Sequence, residues 1–362
     1  MRGAFRASVL PFCILLVLVG LVLSSGPAGA VTQYTITDLG TLGGSKSWAY
    51  GINASGQIVG EALTVTGSTH GFLWDGGVMH DLGTLGGTRS GARDISDSGQ
   101  VVGWAYPTVG SDHAFMWENG SMRDLGSLGG GSASAYGIDS SGQVVGWADT
   151  DSGPKRAFMW ENGSMVDLGT LGGSYSYAYG INEAGQIVGR AGPPTGSLHA
   201  FVWQDGSMAD LGTLGGSGSQ AFAINEAGQA VGWADNPGLR SIAFVWQDGS
   251  MESLGTLGGP DSFARSINNS GQVVGWADNQ TMFQCAFLWQ EGVMHDLNDL
   301  LLPDSGWVLH SAEDISDSGQ IVGYGSYGGK ERAFLLTPVP EPSVLGLAGL
   351  ALIVAMRRLQ RG

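Results

Sequence analysis

Between Tyr34 and Leu336 the apolar residues come in short runs of a few positions, interleaved with small or polar residues and broken by Gly, Asn and Asp. Runs of this length and alternation predict β-strands with one face buried. The stretch around residue 180 shows the unit. Tyr177-Ala178-Tyr179-Gly180-Ile181 reads as a first strand, and the turn Asn182-Glu183-Ala184-Gly185 leads to a second, Gln186-Ile187-Val188-Gly189. A variable loop follows, then His199-Ala200-Phe201-Val202-Trp203, a tight Gln204-Asp205-Gly206 turn, and a fourth strand, Ser207-Met208-Ala209-Asp210-Leu211. Asn caps the first turn through its side chain, and Gly takes the left-handed conformation that closes a hairpin.

This unit repeats every 43 residues. The string Asp-Leu-Gly-Thr-Leu-Gly-Gly begins at Asp38 and returns at Asp81, Asp124 (with Ser127), Asp167 and Asp210. It reappears with Ser253 in place of Asp and decays at Asp296-Leu297-Asn298. A Gly-Gln pair begins at Gly56, Gly99, Gly142, Gly185, Gly228, Gly271 and Gly319, and the third strand carries Phe72, Phe115, Phe158, Phe201, Phe244, Phe287 and Phe334. Only the last unit breaks step, with five extra residues around Leu301 to Trp307.

Strand counting decides how the units close. The first three strands occur seven times, whereas the fourth follows an aromatic strand only six times, the last at Met294-His295-Asp296-Leu297. The missing copy is Tyr34-Thr35-Ile36-Thr37-Asp38-Leu39 at the front, and Ala333-Phe334-Leu335 at the back lacks a partner. The expected fold is therefore all-β, a seven-bladed β-propeller of 43-residue repeats closed by the N-terminal strand. Closure hides a sheet edge that would otherwise template aggregation. An open β-solenoid is the competing architecture; its usual repeats are shorter, and it gives a lone leading strand no role.

The two ends carry different signals. Arg2 and Arg6, an apolar run from Val9 to Leu23 and the small residues Ala28-Gly29-Ala30 read as a signal peptide over residues 1–30, cleaved after Ala30. A membrane anchor is the alternative. At the other end Pro340-Glu341-Pro342 precedes an apolar run from Val344 to Met356 and a basic close, Arg357, Arg358 and Arg361. The run is short against the roughly 20 residues needed to span a bilayer. Motif, apolar stretch and basic tail over 339–362 resemble the PEP-CTERM sorting signal. The resemblance implies processing by an exosortase-like enzyme, with the membrane as a partner until then. A plain tail anchor with its arginines held inside is the alternative.

Composition narrows the partners. Gly reaches 63 residues while charged residues are 13%, as short strands with many tight turns require. Five of the 16 basic residues and one of the 32 acidic ones lie in the terminal segments, which leaves 11 against 31 and a net of −20 in the middle. That field repels phosphate backbones and excludes nucleic acid as a partner; cations and neutral polymers are compatible with it. Cys13 lies in the leader, so Cys285 stands alone in the mature chain and no intrachain disulfide forms.

The repeat also sorts the candidate chemistry. His70, His113 and His199 occupy one position in three different units, so they do not converge on one metal ion, and no metal or cofactor is expected. The glutamines Gln57 through Gln320 recur seven times and read as a ladder whose amides bridge neighbouring turns. The repeated Asp reads as a turn acceptor. Trp74, Trp117, Trp160, Trp203, Trp246 and Trp289 end the third strand and read as packing between blades. A second set, Trp104, Trp147, Trp233 and Trp276, lies where the second strand enters the variable loop, and three of these precede Asp149, Asp235 and Asp278 by two. Trp faces beside carboxylates suit sugars, by stacking and by hydrogen bonds to hydroxyls; burial in the core is the plainer reading. No nucleophile elbow, phosphate loop, zinc-helix motif or triad spacing is present. Gly-rich strings such as Gly43-Gly44 read as segments between strands, not as loops that open a helix.

The units, with His-Gly-Phe at His70 and His-Ala-Phe at His113 and His199, resemble the bacterial extracellular HAF-type repeats over about residues 34–336. The resemblance implies an exported protein of unassigned biochemical role. The expectation is a non-catalytic scaffold at the cell envelope, cell surface or extracellular matrix, with signal peptidase and an exosortase-like enzyme as processing partners and exopolysaccharide as the candidate ligand. Its rival is a polysaccharide-active hydrolase or lyase on the same fold, which needs paired carboxylates in a cleft. The recognition surface is expected on the varied loops between second and third strands, carried by a uniform scaffold.

Overall fold

The alternation of apolar and polar residues folds each 43-residue unit into an antiparallel sheet of four strands, and a computed structural model of the chain describes residues 32–340 in this form. Blades 1 to 6 are consecutive in sequence, spanning 43–81, 86–126, 129–167, 176–212, 219–255 and 258–296. Blade 7 is composite. Trp307–Ile315, Ile321–Tyr327 and Lys330–Pro338 supply three strands, and the N-terminal Tyr34–Asp38 supplies the fourth. Its register runs antiparallel from Tyr34 opposite Pro338 to Asp38 opposite Phe334, the closure that strand counting requires. First strands of neighbouring blades touch around the ring, so they line the axis.

The core lies between blades. One layer joins Ala49, Ile58 and Phe72 of blade 1 to Val322, Ala333 and Leu335 of blade 7, and the next joins Val59 and Leu73 of blade 1 to Ala92, Val101 and Phe115 of blade 2. Each repeated Phe is fully buried. The third-strand Trp residues flank these layers with a Met of the facing fourth strand, Trp74 with Met79 and Trp117 with Met122, so packing between blades is their role.

Polar groups tie blade to blade on the face where the first-to-second and third-to-fourth turns emerge, here the turn face. Asn53 Nδ2 donates to the Ser96 carbonyl at 3.1 Å, and Asn182, Asn225 and Asn268 repeat the link. The glutamines bridge the two turns of one blade: Gln57 Nε2 donates to Asp75 at 3.1 Å and Gln229 Nε2 to Gln247 at 3.0 Å. On the opposite face, here the loop face, a link appears that the repeat did not advertise. Ser219 Oγ accepts from Ala200 N–H of the preceding blade at 2.8 Å and donates to the Gly212 carbonyl at 2.5 Å. Ser47, Ser90, Ser176 and Ser262 do the same, and blade 3 has Ala133 there instead.

The expectation for the Gly-Gly pairs is corrected. They do not simply sit between strands: in blades 1, 2, 3 and 6 they belong to the first strand, as in Gly43–Ile52, with Gly43 opposite Thr64 and a bulge before Ser47. Gly43 has φ +94°, and a Cβ on Gly44 would lie 2.5 Å from the Leu63 carbonyl oxygen; only glycine lets the crossover hug the second strand.

The leader, with Ala28 and Ala30, and the tail from Glu341, with Pro342, Arg357 and Arg358, lie outside the described residues. Among the described residues no helix is long and apolar enough to cross a membrane.

Candidate functional site

Along each first strand two positions are constant. An alanine recurs at Ala49, Ala92, Ala135, Ala178, Ala221, Ala264 and Ala312, every one fully buried. Three residues on, an isoleucine recurs from Ile52 to Ile315. The residue just after the alanine is large but not constant, three Tyr, two Arg, one Phe and one Glu around the ring: Tyr50, Arg93, Tyr136, Tyr179, Phe222, Arg265 and Glu313. Strand alternation turns this residue away from the sheet core, and all seven line a cavity of about 540 Å³ on the axis.

The wall is two-sided. On blades 3 to 5, Tyr136 meets Tyr179 edge-on at 5.2 Å between ring centroids, and Tyr179 meets Phe222 at 5.6 Å. The rest holds the charged residues, with Tyr50 among them. Arg93 donates to Glu61 at 2.9 Å and lies 4.4 Å from the Tyr50 ring centre; Arg265 stands 3.6 Å from Glu313 and 4.6 Å from the Phe222 ring centre. Among the described residues, Nε of Arg93 and of Arg265 is buried without a hydrogen-bond partner, the latter 3.6 Å from the Glu313 carboxylate. Burial pushes the Tyr50 and Tyr179 phenols upward, so both stay neutral donors at ordinary pH.

Below this ring, where other blades have Gly, Ala or Ser, blades 2 and 7 place Asp94 and Asp314. Asp94 accepts from Ile95 N–H at 2.8 Å and from Ile138 N–H of the next blade at 3.0 Å. Asp314 accepts from Ile52 N–H at 2.9 Å and from the Ser266 hydroxyl at 2.6 Å. Loss of hydration, then the Asp314 charge, push the Asp94 carboxyl up to about 7, against the pull of its two N–H donors; burial raises Asp314 as well. The folded state thus holds a proton that the unfolded chain gives up near pH 4, and folding stability falls as pH rises from about 4 toward 7. The melting temperature should be higher at pH 5 than at pH 8. Asp94→Asn should shrink the loss of folding free energy between pH 5 and pH 8 by roughly 2 kcal/mol. Parallel melting curves for the two proteins across that window would refute the assignment.

The residues singled out from sequence fall elsewhere. Trp104, Trp147, Trp233 and Trp276 are half-buried and do not line the cavity. Trp104 Nε1 donates to Glu61 at 3.2 Å, Lys155 Nζ sits 3.4 Å from the centre of the Trp147 ring, and Trp233 and Trp276 flank Phe263 at 5.6 and 4.3 Å. Their aromatic faces are largely engaged by neighbours. Asp235 accepts from the Ser217 and Ser241 hydroxyls at 3.1 and 3.2 Å, and burial with the nearby Asp261 charge raises Asp278. Asp149 lies opposite Lys155 in its blade. Trp147 with Asp149, Trp233 with Asp235 and Trp276 with Asp278 belong to three separate blades and do not form one cluster. His70, His113 and His199 each pair with the turn Asp of their own blade at 2.8, 2.7 and 2.9 Å. That Asp accepts the N–H two residues on, as in Asp81 to Gly83 at 2.8 Å. Among the described residues no group of three or more His, Cys, Asp or Glu is placed to hold a metal ion. Cys285 is buried and its thiol is pushed up to about 12 by burial and Asp296, so it is a poor nucleophile.

The loop face carries the most exposed large apolar side chains: Val65, Val109, Leu239, Met282 and Phe283 each leave at least 69% of their surface bare at loop tips. The opposite turns carry carboxylates and no Lys or Arg.

Comparison with known proteins adds the fold and little more. A family model described as a protein of unknown function (DUF3466) matches residues 252–328. No curated protein matches the sequence. Among solved structures the chain is similar to a puromycin hydrolase mutant complexed with PGG, with 15% identity, a TM-score of 0.50, and 80% of this chain and 52% of that one covered. It is also similar to TolB from Acinetobacter baumannii, with 11% identity, a TM-score of 0.44, and 83% and 65% covered. A third is a mutant of the Aleuria aurantia lectin in complex with Fucalpha1-6GlcNAc, with 12% identity, a TM-score of 0.38, and 87% and 100% covered. The chain thus spans about two-thirds of the TolB structure and about half of the hydrolase. At these identities the likeness is one of fold, the β-propeller.

Proposed function

We propose that this protein is an exported, non-catalytic scaffold that binds extracellular polysaccharide at the cell envelope, cell surface or extracellular matrix. The observation that carries the reading is where the repeat breaks. Strands and buried Phe recur in all seven blades and the turn-face Asn link in four, while difference gathers in the axial ring and in the loops of one face. A uniform frame with one varied face is the arrangement of a recognition module. Signal peptidase acting at Ala28–Ala30, and an exosortase-like enzyme reading Pro340-Glu341-Pro342 and Arg357-Arg358, would bring it there, transiently held at the membrane by its C-terminal segment.

A second reading, a polysaccharide-active enzyme, draws on one feature: Asp94, near 7, shares the channel with Asp314 and Glu313, and Glu61 stands against Arg93. A carboxyl that stays protonated near neutrality is what a general acid requires. Against it, Asp94 and Asp314 are engaged by backbone N–H groups and both glutamates face arginines.

A glycan array probed with residues 31–340 tests the first reading, with reducing-end release assayed on every glycan retained. Retention without release is expected, weakened by Trp233→Ala and Asp235→Ala and unchanged by Glu226→Ala on the turn face. Release that vanishes in Asp94→Asn would establish the enzyme instead. Weakening only by the Glu226 variant would place binding on the wrong face.

A further inference from the structure

We propose that the axial cavity itself is a binding site for a neutral sugar unit, one pyranose or a short chain end seated between the aromatic wall and the arginine–glutamate wall. The proposal rests on the polysaccharide reading and names the part of the ligand and the place that holds it.

Three observations converge. The first is the column of residues. Between constant alanine and constant isoleucine, ring closure needs no particular side chain, yet every blade supplies a large one and the ring mixes Tyr, Phe, Arg and Glu. A purely structural plug would be expected to repeat, as the buried Phe does.

The second is the division of the wall. Tyr136, Tyr179 and Phe222 form a continuous aromatic arc over three adjacent blades. The C–H face of a pyranose carries partial positive charge and suits the negative face of such rings, while its hydroxyls need donors and acceptors on the other side. Arg93, Arg265 and Glu313 line the cavity and supply both, since each guanidinium carries five N–H donors, more than its one carboxylate partner takes up, and a hydroxyl oxygen can accept from the others.

The third is charge. Each guanidinium is already paired with a carboxylate, and Asp94 and Asp314 add acidic groups below, so an anion finds no uncompensated partner. A uronate would have to displace Glu61 or Glu313 against the Asp94 and Asp314 carboxyls below. A ligand with hydroxyls and no charge uses the site as it stands. The volume, about 540 Å³, falls in the range of small-molecule sites.

The test uses the full-length chain and saturation-transfer NMR with methyl glucoside, methyl galactoside, methyl mannoside and glucuronate. At least one neutral glycoside should bind and glucuronate should not. Tyr179→Leu, which keeps bulk but removes the platform, should weaken binding at least about tenfold, the scale of one good aromatic contact. Arg265→Gln, checked by melting, should weaken it as well without relying on the first variant folding. Glu252→Gln, on an outer strand, should change nothing. Preference for glucuronate, binding unaltered in both channel variants, or no neutral glycoside bound would each overturn the proposal. Polysaccharide retained on the array by Tyr179→Leu, with the glycoside signal unaltered, would leave the scaffold reading standing and move the site to the loops.

Discussion

A chain that begins at residue 41 will lose most of its stability and aggregate. The strand Tyr34–Asp38 is the fourth strand of blade 7 and pairs along its whole length with Lys330–Pro338. Tyr34 is 1% exposed among Leu297, Leu301, Trp307 and Leu336, and Leu39 is 4% exposed between blades 7 and 1. Losing two such side chains from the core costs on the order of 5 kcal/mol before any ladder hydrogen bond is counted. Whole domains are stable by roughly 5–15 kcal/mol. The truncation also bares the strand Lys330–Pro338 as an open edge. Thermal melting with light scattering checks this against the chain starting at residue 31. Equal melting temperatures and equal solubility would mean that the ring does not depend on its clasp.

Gly189→Ala will destabilise the protein by at least about 3 kcal/mol, although it adds one methyl group. Gly189 faces Ala178 on one side and Phe201 on the other. A Cβ there would lie 1.9 Å from the Tyr177 carbonyl oxygen and 2.8 Å from Phe201 Cε1. Neither neighbour has room to yield, since Phe201 is fully buried and the carbonyl belongs to the inner strand. Gly131→Ala is the matched control: a Cβ meets nothing within 4 Å and the backbone is in an ordinary region. Chemical denaturation of the two variants should separate them widely. A Gly189 variant as stable as the Gly131 one would refute the packing argument.

The repeat made much of this fold readable in one dimension. Its period set the blade, the Asn and Gly of each turn set the hairpins, and the odd strand count required the front of the chain to close the back. These are local or counting facts, and each holds whatever surrounds it. The insertion in the last unit shows where such reading stops. Leu301 and Trp307 were visible only as extra residues; folded, they cover Tyr34, and Leu302 N–H donates to the Tyr34 carbonyl at 3.2 Å, locking the clasp. The Trp residues beside Asp149, Asp235 and Asp278 stood out because they were conspicuous along the chain, yet neighbours engage their faces. The axial ring was there too, as a column that varies between two that do not, but a column in a repeat says nothing about what it faces.

The sequence by itself determined the strand, the blade, their number and the closure, because those depend on alternation, turn chemistry and arithmetic. Only the tertiary structure decided that Arg93, Arg265, Glu313, Asp94 and Asp314 share one cavity with an aromatic arc. Those residues come from different blades, far apart in the chain. They meet only when the ring shuts around them, and Asp94 and Asp314 then lose the water that held their carboxyls in the ordinary range.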